Sequence, residues 1–153
     1  MLRQELLDEG FDINTLAPSQ AVFYAMLAGG LCQAQAHDEA LAVVERALEQ
    51  ARASAGVWFN PELLRIKACV LAAQGTSPSS VESCFGAART VAREQGGLYW
   101  ELRAALSHAQ YLLSLSRSPE AHAVLRPVYT QFTQGFDLSE LRAARDLLNQ
   151  FAS

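Results

Sequence analysis

The stretch Ala40-Leu41-Ala42-Val43-Val44-Glu45-Arg46-Ala47-Leu48-Glu49-Gln50-Ala51 decides the fold. Ala40, Val43, Val44, Ala47, Leu48 and Ala51 stand at offsets 0, 3, 4, 7, 8 and 11, one apolar face of a helix at 3.6 residues per turn. The template returns at Val81, Cys84, Phe85, Ala88 and Ala92, with offsets 0, 3, 4, 7 and 11. It returns again at Ala121, Val124, Leu125, Val128, Tyr129 and Phe132, with the full set 0, 3, 4, 7, 8 and 11. The three starting positions, 40, 81 and 121, are 41 and 40 residues apart. Recurrence at that period is the mark of a helical repeat.

Each of these helices follows another helical stretch, over residues 21–35, 61–74 and 98–115. Leu98, Leu102, Ala105, Leu106, Ala109, Leu112 and Leu113 mark one face of the third. The unit is therefore a helical hairpin of about 40 residues, within the range of helical solenoids. A last apolar series, Leu138, Leu141, Ala144, Leu148 and Phe151, predicts a capping helix over 138–151. Residues 1–17, with Leu2, Leu6 and Leu7 on one side, read as the remnant of a preceding repeat's second helix. No stretch sustains strand alternation. The expected fold is all-α: a right-handed stack of three hairpins plus a C-terminal capping helix.

Local signals place the boundaries. Asn60-Pro61, Ser77-Pro78 and Ser118-Pro119 each set a capping side chain before a proline suited to a first helical turn. Ser79 with Glu82 offers a competing capping box, and Asp137 with Glu140 an Asp-capped analogue. Gly56, Gly75, Gly96-Gly97 and Gly135 stand where helices should stop. Pro127 lies inside the third amphipathic helix and should kink or split it. Ala28, Gly29, Gly30, Ala68, Ala104 and Ala105 in the first helices, with Ala40, Ala47, Ala88 and Ala121 in the second, should let antiparallel helices approach closely, Tyr24, Phe85 and Leu125 filling gaps beside them.

Composition narrows the function. The chain has 153 residues, half of them apolar and 18% charged, which suits one domain and excludes a disordered or collagen-like polymer. A formal charge of −4 argues against a direct nucleic-acid footprint. The longest apolar run, residues 21–32, is too short for the roughly 20 residues that cross a bilayer. Met1 leads into Leu2-Arg3-Gln4-Glu5 rather than a charged region followed by an apolar one, so a secretion signal is not expected. Three cysteines without CxxC spacing suit a reducing cytoplasm, the expected location.

Three stretches carry a resemblance. They are Trp58-Phe59-Asn60-Pro61-Glu62-Leu63-Leu64-Arg65-Ile66-Lys67, Tyr99-Trp100-Glu101-Leu102-Arg103-Ala104-Ala105, and Leu125-Arg126-Pro127-Val128-Tyr129-Thr130-Gln131-Phe132-Thr133-Gln134-Gly135-Phe136-Asp137. With the alternation of small and large residues they resemble a tetratricopeptide-like repeat, at a period longer than that family's usual unit. Together they look like the C-terminal tetratricopeptide segment of large bacterial regulators, over roughly residues 18 to 151. In those proteins similar repeats accompany a signalling ATPase, a class III adenylyl cyclase or a winged-helix transcriptional regulator. The resemblance implies the sensor or docking end of such a protein, or a stand-alone relative. The enzymatic activities do not carry over: the single lysine, Lys67, follows Ile66 and no GxxxxGK[ST] is present, nor are cyclase metal carboxylates identifiable.

Reactive side chains lack the spacing that chemistry requires. His37, His108 and His122 form no HExxH and share no helix face at three- or four-residue spacing, so no metal or cofactor is expected. His37, before Asp38-Glu39 in a hairpin turn, reads as solvated. Cys32, Cys69 and Cys84 read as small core hydrophobes. Ser107-His108 and Ser83-Cys84 are adjacent on helices, which points their side chains about 100° apart, and no nucleophile–base couple results. An enzyme is not expected.

Two aromatic–charge clusters open the first helices of successive hairpins: Trp58 with Glu62 and Arg65, and Trp100 with Glu101 and Arg103. Trp, Tyr and Arg most often anchor interfaces, so Trp58, Glu62, Arg65, Trp100 and Arg103 are the candidate protein-binding residues. Alternatively the tryptophans plug gaps between repeats and the arginines tie adjacent helices together. The expected function is a non-catalytic scaffold whose concave face docks a protein or peptide, or an upstream domain of the same polypeptide. Sensing of a small effector for an attached ATPase or cyclase, and homo-oligomerisation as a homodimer through the exposed ends, are the alternatives.

Overall fold

The computed structural model describes residues 18–53 and 57–151. Among them it holds seven α-helices and no strand: α1 (Pro18–Gln33), α2 (His37–Ala53), α3 (Asn60–Ala73), α4 (Pro78–Glu94), α5 (Leu98–Ser114), α6 (Ser118–Tyr129) and α7 (Ser139–Phe151). A single 3₁₀ turn, Val57–Phe59, leads into α3. Gly56 and residues 1–17 lie outside the described residues, with the readings made of them.

The apolar template is what packs these helices. Offsets 0, 4 and 7 are buried in all three copies: Ala40, Val44 and Ala47; Val81, Phe85 and Ala88; Ala121, Leu125 and Val128. Each helix packs on the next. The first helices also pack in a row, α1 on α3 and α3 on α5, while the second helices make no comparable contact with one another. α7 meets both α5 and α6, as α5 meets α3 and α4, so it stands where the first helix of a fourth hairpin would. Ala28, Ala40, Ala68, Ala88, Ala104, Ala105 and Ala121 are fully buried, as expected of residues that admit close helix approach. Gly29 and Gly30 are not part of that device. A Cβ at either position would meet nothing within 4 Å.

The turns repeat as strictly as the helices. Four helix ends close with the same bond spanning five residues, from the N–H of Ala36 to Leu31 O (2.9 Å), Thr76 to Leu71 O (3.0 Å), Gly97 to Ala92 O (2.8 Å) and Arg117 to Leu112 O (2.9 Å). This closure needs a left-handed residue just before the donor. Gly75 (φ 71°) and Gly96 (φ 68°) supply it as expected, but Gln35 (φ 61°) and Ser116 (φ 60°) supply it without glycine. A side chain there costs roughly 1–2 kcal/mol, which the packing of the hairpin must offset.

Helix starts differ from expectation. None of the side chains of Asn60, Ser77 or Ser118 caps its helix. Phe59 and Arg117 occupy the cap positions of α3 and α6, and Ser77 Oγ turns to Ser80 Oγ at 2.9 Å. The prolines at 61, 78 and 119 already preset the backbone and remove a donor that would need capping. Glu82 pairs with Arg117 (2.6 Å) rather than closing a box with Ser79. Asp137 accepts from Arg142 through its backbone carbonyl, and Glu140 is drawn to Arg103. Pro127 does not split α6: the helix runs through it and stops at Tyr129, leaving Phe132 outside, and Thr130 Oγ1 and Gln131 Nε2 donate to the Pro127 carbonyl.

Candidate functional site

The N-terminal turns of the first helices carry the candidate residues, and the structure gathers those residues into two adjoining groups. The polar group begins at Glu62, one of the most buried charged residues described, at 6% exposure. Both of its carboxylate oxygens are used twice. Arg65, one turn along α3, donates at 2.9 and 2.8 Å, and Arg103 reaches across from α5 to donate at 3.2 and 2.9 Å. Arg65 goes on to Ser107 Oγ at 3.1 Å, and Arg103 to Glu140 Oε1 on α7 at 3.0 Å. Tyr99 donates to the same Glu140 oxygen at 2.9 Å. One continuous ladder, Ser107–Arg65–Glu62–Arg103–Glu140–Tyr99, thus crosses α3, α5 and α7.

Burial alone would push the Glu62 carboxyl up, but the hydrogen bonds and charge of Arg65 and Arg103 outweigh it and hold the group below the usual carboxylate range. Glu62 is therefore an anion at neutral pH with its acceptor capacity spent on the protein. Glu101 does not join Trp100 and Arg103 as the sequence suggested. It is buried at 3% exposure and takes Arg93 from the end of α4, at 2.6 and 3.1 Å. Positions two apart on a helix point to nearly opposite sides, about 200° around the axis, so Glu101 and Arg103 serve different neighbours.

The aromatic group lies beside this ladder. Phe59 is buried and meets Trp100 edge-on, with ring centroids 5.2 Å apart. Trp58 leans on both, 5.1 Å from Phe59 and 6.3 Å from Trp100, and Tyr99 closes the row at 5.4 Å from Trp100. The two tryptophans differ. Trp100 is half-buried against the core shared by α1, α2 and α3, so it fills the gap between hairpins. Trp58 is 44% exposed. Gly97 makes room for this packing, since a Cβ there would come within 3.1 Å of Trp100 Cδ1.

Glu140 and Tyr99 escaped the sequence reading as partners of Arg103. A signal existed: Glu62, Glu101 and Glu140 recur every 39 residues, each in the first turn of a first helix. Each is paired with an arginine.

His37 is the first residue of α2, half-buried, with Nδ1 3.8 Å from Cys32 Sγ, and is not the solvated turn residue expected. Cys69 and Cys84 are half-buried free thiols. Cys84 donates to Leu64 O at 3.3 Å, and burial pushes both thiols up, away from reactivity. His108 stacks on Phe85 with centroids 5.2 Å apart, and neither ring nitrogen bonds to a described residue. Burial, with the charge of Arg89, pushes its imidazole down to about 4. Among the described residues no group of three or more His, Cys, Asp or Glu could hold a metal, and no helix is long and apolar enough to cross a membrane.

A surface concavity lies between α6 and α7. An open groove of about 400 Å³ is lined by His122, Arg126, Tyr129, Thr130, Leu148 and Phe151. Comparison with protein-family models, curated proteins and solved structures found no match for the chain.

Proposed function

We propose that the chain is a non-catalytic protein-interaction scaffold, the tetratricopeptide-like repeat domain of a cytoplasmic bacterial regulatory protein. The observation that carries this reading is Trp58: a large aromatic left 44% exposed, braced by Phe59 and Trp100, at the edge of a row of first helices. A rigid, braced aromatic offers a partner contact area at little ordering cost. Of the five candidate residues, Trp58 is the anchor. Trp100 orients it, and Glu62, Arg65 and Arg103 keep the helices that carry it in register. The regular row of helices, all joined through their neighbours, supports a preformed surface for a flexible segment of a partner or of an attached domain.

The test is selection from a displayed random-peptide library with the intact chain, followed by titration against Trp58→Ala. Peptides retained by the natural chain should lose roughly tenfold or more in affinity with the variant. Selected peptides that bind Trp58→Ala equally well would refute the reading.

A further inference from the structure

Among the described residues the array of helices has two unlike ends. At one end α1 bears no charged residue, and its Phe23 and Met26 are 51% and 72% exposed. An internal first helix, α3, packs against the hairpin before it, α1 and α2. At the other end, no helix follows α7 among the described residues. The 39-residue recurrence of Glu101 and Glu140 aligns Leu148 with Ala109 and Phe151 with Leu112. In α5 both positions are almost fully buried, in the core it shares with α6 and α7. In α7 they are only half-buried and line the groove. The groove is thus an open berth beside α7 for one more helix.

Residues 1–17 match that berth in chemistry. Leu2, Leu6 and Leu7 fall at helical spacing, and Glu5, Asp8, Glu9 and Asp12 outnumber the one basic residue, Arg3. The groove offers Leu148, Phe151 and Tyr129 to leucines and Arg126 and His122 to carboxylates, and none of its lining residues is acidic. Arg126 is exposed and makes no ion pair among the described residues. We propose that residues 1–17 of a second copy dock in the α6–α7 groove, joining copies head to tail.

The alternation of first and second helices then continues across the junction: α7, the docked segment, then α1 of the incoming copy. This places Phe23 and Met26 against α7, where docking of a chain's own segment would leave both in water. Such a contact uses two different surfaces, so it propagates into chains rather than closing at a pair. The inference rests on the stacked-hairpin reading and is independent of the Trp58 partner.

The test is sedimentation of the full chain over a wide concentration range. The mass should climb past that of a dimer. Leu6→Asp, altered only in the segment, and Phe151→Asp, altered only in the groove, should each stay monomeric. Mixed in equal amounts they should form a dimer and stop there, because one intact junction remains. Arg126→Glu, at an exposed site that folding does not use, should weaken association roughly tenfold or more, and guards against misfolding of the Phe151 variant. Three results would overturn the proposal: a natural chain that remains monomeric at all concentrations, variants that associate like the natural chain, or a mixture that fails to pair. A Trp58→Ala chain that still associates would separate this junction from the partner surface.

Discussion

Removing the Arg103 side chain decides whether the polar ladder is a structural tie or a docking surface. Arg103 holds Glu62 through two hydrogen bonds of 3.2 and 2.9 Å and Glu140 through one of 3.0 Å. The Glu62 side chain is 7% exposed and the Arg103 side chain 28%. Opposite charges about 4 Å apart attract by about 4 kcal/mol at an effective dielectric of 20. Solvent at Arg103 screens part of this, and Arg65 still neutralises Glu62 when Arg103 is gone. The coupling between Glu62 and Arg103 should therefore be roughly 1.5–3 kcal/mol, the range of hydrogen bonds to charged groups. Glu62→Ala should cost more, roughly 3–5 kcal/mol, because it leaves two half-buried guanidinium groups facing one another. The assay is urea unfolding followed by far-ultraviolet circular dichroism, on the natural chain, Glu62→Ala, Arg103→Ala and the double variant. Equal denaturant slopes would show that the unfolding reaction is unchanged. Additive effects, with a coupling below about 0.5 kcal/mol, would refute the tie and return Arg103 to the candidate contact residues.

Two further outcomes follow from the core. His108 is held down to about 4 by burial, by Arg89 on α4 and by Arg117, against the opposing pull of Glu82 and Glu120. An unfolded imidazole protonates near 6.5, so the unfolded chain takes up a proton first and stability falls as pH drops between those values. Relative to His108→Leu, which cannot titrate there, the natural chain should lose about 2 kcal/mol between pH 7 and pH 5. A difference between the two chains that stays constant with pH would refute the assignment. Ala88 is fully buried between helices, and Ala88→Leu should overpack the contact at a cost of roughly 1–3 kcal/mol. An unchanged unfolding midpoint would refute tight packing around Ala88.

The sequence by itself determined the helices, the hairpin period and most of the close contacts. These rest on properties carried within a turn or two of chain: apolar spacing near 3.6, alanine or valine at offsets 0 and 7, proline near helix starts, glycine at stops. Where local signals competed with distant ones, they lost. Ser79 and Asp137 read as caps because Glu82 and Glu140 stand three residues on, yet Arg117 and Arg103 draw those carboxylates away. Gln35 and Ser116 are not glycine, yet the hairpins force both into left-handed backbone.

Only the tertiary structure decided where the candidate residues lie and what each one touches. Trp58 and Trp100 look alike in sequence, and so do Arg65 and Arg103. Which tryptophan fills a gap and which stays in water depends on how α5 meets the core shared by α1, α2 and α3. Likewise, Arg103 finds Glu62 41 positions earlier and Glu140 37 positions later. A long side chain reaches whatever the neighbouring helix presents. That is set by the distance and rotation at which buried alanines let two helices rest together, and no local spacing encodes it.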